Sequence, residues 1–237
     1  MVRVEERSDV GAGVLQITLD RPDRRNAVDH ATLLELLDAQ TRAAEARVVV
    51  LTGAPPAFCA GADLHGVEAG VFAADLDRVL RGFTQLAAPV IAAVDGPALG
   101  AGSQLVSVCD LRVATPVSVF GVPAARLGLV IDGWTIDRIV AEFTAPVARA
   151  MLLAAETYTG DELHRIGAVH RLGDLDVALA WAGTIARLAP LSIRGHKLGL
   201  EGDDRFGEAH GLAWASDDAR EGRDAFLAKR RPAFRGR

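Results

Sequence analysis

Apolar and polar positions sort this chain into elements. Val2–Glu6 and Val14–Leu19 flank Asp9-Val-Gly-Ala-Gly13 and read as strand, turn, strand. Val48–Thr52 and Pro89–Val94 are apolar almost without interruption, as expected of strands buried in a mostly parallel sheet. Leu111–Ala114 and Ser118–Phe120 are shorter strands around Thr115-Pro116. Arg21–Asn26 is a polar loop, and Asp29 is placed to cap a helix running through Ala46, with Leu33, Leu36, Leu37 and Ala44 apolar. Val67–Ala88 reads as one or two helices carrying Leu76, Val79, Leu80, Phe83 and Leu86 at helical spacing. Asp132–Ala141, Pro146–Ala154 and Thr159–Ile166 read as helices, and Ala168–Arg171 as a short strand. From Leu175 no strand pattern occurs. Leu175–Ala189, Leu191–Leu200 and a single long Phe206–Lys229 are helices, so the one candidate boundary lies near 173–190. No repeat of fixed period is present, but strand-strand-helix units recur irregularly through the first two-thirds.

Two turns stand out. Gly96-Pro-Ala-Leu-Gly-Ala-Gly-Ser-Gln-Leu105 follows the Pro89–Val94 strand and leads into a short helix that starts near Ala101 and includes Leu105–Asp110. Small side chains let a backbone approach a ligand closely, and a helix start leaves N–H groups free to point at it. Donors arranged in this way hold a developing oxyanion; the plainer reading is a tight turn packed on the sheet. Gly53-Ala-Pro-Pro-Ala-Phe-Cys-Ala-Gly-Ala-Asp-Leu64 repeats the pattern after Val48–Thr52, with Ala60-Gly61-Ala62 leading into a short helix. Each turn could offer one N–H to the same carbonyl oxygen.

Composition narrows the class. The 237 residues, half of them hydrophobic, suffice for one large domain, or one with an appendage. A net charge of −5 without long runs argues against a partner bound through phosphate contacts, such as nucleic acid or an anionic membrane. The two cysteines, Cys59 and Cys109, lie in apolar or small-residue settings, and no disulfide is expected between them. No CxxC or His/Cys cluster suggests a metal. The N-terminal stretch carries acids and no apolar core, so no secretory signal is expected there. No window approaches the ~20 apolar residues of a membrane span.

Four segments carry a resemblance: Arg21-Pro-Asp-Arg-Arg-Asn26-Ala27, Phe58-Cys-Ala-Gly-Ala-Asp-Leu64, Gly96-Pro-Ala-Leu-Gly-Ala-Gly102 with Cys109-Asp110, and Glu221-Gly-Arg-Asp-Ala-Phe226-Leu-Ala-Lys229-Arg-Arg-Pro232. Together they resemble the crotonase family, the enoyl-CoA hydratase/isomerase superfamily, in the family's order and over essentially the whole chain. The resemblance implies an α/β fold, a crotonase-type spiral of ββα units with a helical C-terminal region. Residues 1–173 would form the spiral core with an acyl-CoA site, and 174–237 a helical oligomerisation region. It implies oxyanion-hole N–H groups on Ala62 and Ala101, the second position usually being glycine. Arg24 and Arg25 would meet the CoA phosphates; without the resemblance they would read as a solvated loop. Ala60, Ala62, Asp63 and Leu64 would line the CoA moiety, with Phe226 and Lys229 reaching the CoA of an adjacent subunit. It implies no cofactor other than coenzyme A as part of the ligand, no metal, a homotrimer or dimer of trimers, and a cytoplasmic setting.

The sequence departs from the family where acid–base chemistry is expected. The family's hydratases place one glutamate where this chain has Gln104, and a second where Ala124 follows Phe120-Gly121-Val122-Pro123. An amide takes up no proton at neutral pH, and alanine cannot activate water. Asp132 stands where hydratases usually carry glycine, and some relatives use an aspartate there for proton transfer or as a nucleophile. It equally suits the N-cap of the helix that follows. Trp134 suits either core or acyl chain, His65 is at most near the pocket, Asp110 looks structural, and Glu142 looks like a surface charge. The expected function is an enoyl-CoA hydratase-like protein of fatty-acid metabolism that binds acyl-CoA thioesters, with turnover in doubt. An isomerase or other enolate-forming enzyme using Asp132, and a weak hydratase positioning water through Gln104, are the alternatives; similarity would attract the label of a lyase. The Val67–Ala88 helical stretch would shape the acyl pocket.

Overall fold

The computed structural model describes residues 1–63, 65 and 69–237. Strands β1 (Val2–Glu6), β2 (Val14–Leu19), β3 (Val48–Gly53), β4 (Val90–Val94), β6 (Leu111–Ala114) and β9 (Arg171–Leu172) form one sheet in the order β1-β2-β3-β4-β6-β9. Only the β1–β2 pair is antiparallel; every later neighbour runs parallel. A smaller sheet pairs β5 (Pro97–Leu99), β7 (Val119–Gly121) and β8 (Thr157–Thr159).

The unbroken apolar runs are explained by burial on both faces. Val49, Leu51, Val90, Ala92 and Val94 enter one core with α1 (His30–Arg42), α2 (Ala69–Gln85) and α3 (Ala101–Ser107). Val48, Val50, Ile91, Ala93 and Val113 enter a second, closed by Ala178, Leu179, Ala182 and Ile185 of α7 (Leu175–Ile185). Helix α7, just past residue 173, thus packs across β3, β4 and β6 on one face of the sheet.

Isolated bridges reveal how the spiral climbs. Val28 bridges Ala62, Cys59 bridges Ala98, and β5 pairs with β7. Residues 28, 59–62, 97–99 and 119–121 are therefore successive rungs of one ladder, each supplied by the next turn of chain.

Several expectations are corrected. Pro97–Leu99, read as part of a turn, and Thr157–Thr159, read as helix and loop, are short strands of the second sheet. Helix α1 stops at Arg42 rather than Ala46, because Arg47 and Val48 N–H groups are drawn to the Gly13 carbonyl to start β3. Phe206–Lys229 is two helices, α9 (Phe206–Ala215) and α10 (Asp217–Leu227). Ser216 turns extended between them, and its hydroxyl accepts from the Ala219 N–H, a serine cap followed by two acids. Ala62 is extended in its bridge to Val28, not helical; the remainder of the short helix expected there, with Leu64, lies outside the described residues except for His65. Glu142 is not a free surface charge: it pairs with the buried Arg112. No helix among the described residues is long and apolar enough to cross a membrane.

Candidate functional site

The two small-residue turns end on adjacent rungs. Cys59 N–H donates to the Pro97 carbonyl at 3.0 Å, and Leu99 N–H to the Cys59 carbonyl at 2.9 Å. On the other side, Val28 N–H donates to the Gly61 carbonyl and Asp63 N–H to the Val28 carbonyl, both at 2.8 Å. A trans peptide points its C=O and N–H in opposite directions. With the Gly61 carbonyl committed to Val28, the Ala62 N–H faces away from it, toward the side that carries the β5–α3 turn. A methyl built on Gly61 would lie 4.0 Å from the Ala101 nitrogen, and one on Gly100 3.7 Å from Gly61 Cα, so the turns touch. Among the described residues neither the Ala62 nor the Ala101 N–H has a hydrogen-bond partner.

The sequence reading missed what holds this geometry. Ser103 Oγ donates to the Ala98 carbonyl at 2.6 Å and accepts from the Gly121 N–H at 2.9 Å, while Gly100 N–H donates to the Gly121 carbonyl at 2.9 Å. One hydroxyl on α3 thereby ties two rungs together beside Ala101. Gly102 has no room for a side chain: a Cβ would fall 2.2 Å from the Cys59 carbonyl oxygen. Cys59 itself is sealed in the core, and burial pushes its thiol up to about 12, which leaves it no nucleophilic role.

A second missed organiser is Arg21. Its guanidinium lies 2.9 Å from Asp29 and 3.2 Å from Asp63, and donates to the Ala27 carbonyl. Asn26, buried, accepts from the Arg21 N–H and donates to the Ala54 and Ala57 carbonyls. Asn26 thus stitches the Arg21–Asn26 loop to Ala54 and Ala57, and Arg21 stitches it to Asp63. The hydrogen bond from His65, then that from Arg21, holds the Asp63 carboxyl below its ordinary range although desolvation opposes them. The His65 side chain is otherwise solvent-facing. Arg24 and Arg25 are exposed on the same loop, and the Arg25 carbonyl accepts from the Ala60 N–H at 3.0 Å. Phe226 and Lys229 are brought elsewhere: they are exposed at the end of α10, which packs on α9.

Gln104 lies one helical turn past Ala101 and is buried. Ala124 sits in a single 3-10 turn, Pro123–Leu127, packed on the first core. Asp132 caps α4 (Gly133–Phe143): its carboxylate accepts from the Thr135 N–H at 2.9 Å and from the Thr135 hydroxyl at 2.6 Å. Burial pulls the carboxyl pKa up, but the two Thr135 hydrogen bonds and the nearby Arg81 charge outweigh it and leave the group below its ordinary range. Such a carboxylate is a weak proton acceptor. Trp134 packs on the core with the Arg81 guanidinium 4.4 Å over its ring.

The fold is thus a parallel-sheet spiral in which two backbone N–H groups, unpartnered among the described residues, lie on touching turns. Residues 9–197 match the family model described as enoyl-CoA hydratase/isomerase, and the chain belongs to that family. It is 43% identical over 236 residues to the Mycobacterium tuberculosis protein named "Probable enoyl-CoA hydratase echA6", covering 94% of this chain and 96% of that protein. It is 34% identical over 247 residues to the 2,3-dehydroadipyl-CoA hydratase of Escherichia coli, covering 94% and 96%. Among solved structures, an enoyl-CoA hydratase of Mycobacterium smegmatis superposes with a TM-score of 0.87 at 30% identity, covering 98% of this chain and 97% of that one.

Proposed function

We propose that this protein binds acyl-CoA thioesters of fatty-acid metabolism and turns them over as a hydratase poorly or not at all. The thioester carbonyl oxygen lies between the Ala62 and Ala101 N–H groups. The observation that carries this reading is the pair of unpartnered N–H groups on touching turns. Donors of this kind are each worth about 3–4 kcal/mol where charge develops on oxygen. Polarising the carbonyl does not hydrate a double bond, which also needs a group to activate water and one to deliver a proton. Gln104 and Ala124 occupy the two expected positions, and neither can do this.

Arg24 and Arg25, exposed beside the site, suit the CoA phosphates. Phe226 and Lys229 serve the site of a neighbouring subunit, with 174–237 supplying much of the assembly surface. Enolate chemistry through Asp132 is the weaker reading, because both its oxygens already serve Thr135.

Incubation with crotonyl-CoA in deuterated, oxygen-18-labelled water, read by mass spectrometry, tests the proposal. Binding without label entering is the expected result. Oxygen-18 in a hydroxyacyl product would show that hydration survives without the glutamates. Deuterium alone would show enolate formation and make Asp132→Asn the next variant.

A further inference from the structure

Helix α3, which begins at Ala101, packs against both α2 and α4. Those two helices meet in a side-chain contact: the Arg81 guanidinium of α2 lies 4.4 Å over the Trp134 ring of α4. Arg81 is steadied on its own helix, where its Nε donates to the two Asp77 oxygens one turn back, at 2.8 and 3.0 Å. Helix α2 is moored in turn to α1: Gln40 Nε2 donates to the Val79 carbonyl at 2.7 Å, and His30 lies 2.5 Å from Asp75. The Arg81–Trp134 contact is reached from the donor turn. Gly121 is bonded to Gly100 and to Ser103, so the 3-10 turn Pro123–Leu127 and then α4 depart from beside Ala101. Ala124, Ile131 and Trp134 along this segment are partly buried and pack on the core that holds Ala101, Leu76 and Leu80. The wall leading from Ala101 to Trp134 is therefore apolar, and a cation stands at its end. The same cation acts on the Asp132 carboxylate, which places it over the start of α4.

We infer that Arg81 is a specificity-determining residue: its stack on Trp134 closes the gap between α2 and α4, and so favours acyl thioesters short enough to end before that contact over long-chain ones. The inference rests on the proposed placing of the thioester oxygen at Ala62 and Ala101. An acyl chain that leaves from there along the apolar wall brings methylenes up to the guanidinium. Methylenes replace neither the ring face nor the Asp77 carboxylate as partners of a cation. To pass, the chain must lift Arg81 off Trp134. Arg81 is half-exposed and can swing into water, so the contact grades chain length instead of forbidding long chains. A cation on an aromatic face at so exposed a place changes affinity by about two- to fivefold.

The test is calorimetric titration of butyryl-CoA and dodecanoyl-CoA into the wild-type chain and Arg81→Ala. The quantity read is the ratio of the two affinities. Both ligands carry the same CoA phosphates, so the ratio cancels any general effect of removing a positive charge. Arg81→Ala is expected to shift this ratio toward dodecanoyl-CoA by about two- to fivefold, with butyryl-CoA affinity nearly unchanged. A purely structural residue would weaken both ligands together and leave the ratio where it was. An unchanged ratio, or one that shifts toward butyryl-CoA, overturns the inference and leaves acyl-CoA binding standing. Failure of both thioesters to bind the wild type overturns the proposed function and this inference with it.

Discussion

Ser103 shows how much one side chain can decide. Its hydroxyl joins the Ala98 carbonyl of one rung to the Gly121 N–H of the next, both buried. Ser103→Ala leaves a buried donor and a buried acceptor unpaired and is expected to cost about 1–3 kcal/mol in urea denaturation. Acyl-CoA affinity should fall as well, since the Ala101 N–H loses its brace. Asp132 gives a contrasting case. As an N-cap it should cost about 1 kcal/mol when replaced by alanine. Its folded pKa is depressed, so its contribution is present above the ordinary aspartate range and is lost as pH falls through the folded value. Asp132→Ala should thus differ from the wild type in melting temperature at neutral pH and converge with it in acid. A variant equally destabilised at both extremes would contradict the capping account. At this scale the sequence was informative about the Asp132 cap, because capping is local, whereas Ala62 and Ala101 were singled out only by the family resemblance. It was silent on Ser103, Arg21 and Asn26, whose bonds reach residues made neighbours only by the fold.

At the scale of elements, α8 (Pro190–Leu200) is fastened by a buried lysine. Lys197 Nζ donates to the Phe83 and Ala88 carbonyls and lies 2.8 Å from Asp110, whose same oxygen accepts from the Val90 N–H. One ammonium thus joins α8 to the end of α2, the start of β4 and the end of α3. Lys197→Met should destabilise the chain by about 3 kcal/mol or more, because it strands a carboxylate and two carbonyls in a largely dry site. A loss below 1 kcal/mol by denaturant titration would mean water repairs the gap. Periodicity found most helices and the central strands, since hydrophobic spacing reports burial directly. It missed β5 and β8, three residues each, which are strands only through their partners. It also ran α9 and α10 together, because Ser216 interrupts a stretch otherwise rich in helix formers. That Lys197 is interior had no sequence signal at all; lysine is ordinarily a surface residue.

For the whole molecule, the C-terminal helices leave apolar surface open. Leu200, Leu212, Trp214, Phe226 and Leu227 are all more than half exposed, and a cleft of about 300 Å³ between α8, α9 and α10 is lined by Phe206, His210 and Trp214. Surface of this kind suits contact with further copies of the chain. Sedimentation is expected to report a trimer or a multiple of it. Trp214→Glu should shift it toward monomer, and CoA affinity should fall if Lys229 serves a neighbour's site. A wild-type monomer would remove the assembly from the account.

The central claim is that a thioester oxygen sits between two backbone donors. Infrared difference spectroscopy of a bound acyl-CoA carrying carbon-13 at its carbonyl reads this directly. The account predicts that the carbonyl stretch of the bound ligand moves to lower frequency than in free solution, as two converging N–H groups weaken the C=O bond. A ligand that binds with its carbonyl band at the free position would contradict it, and would mean that CoA is held while its thioester is left untouched.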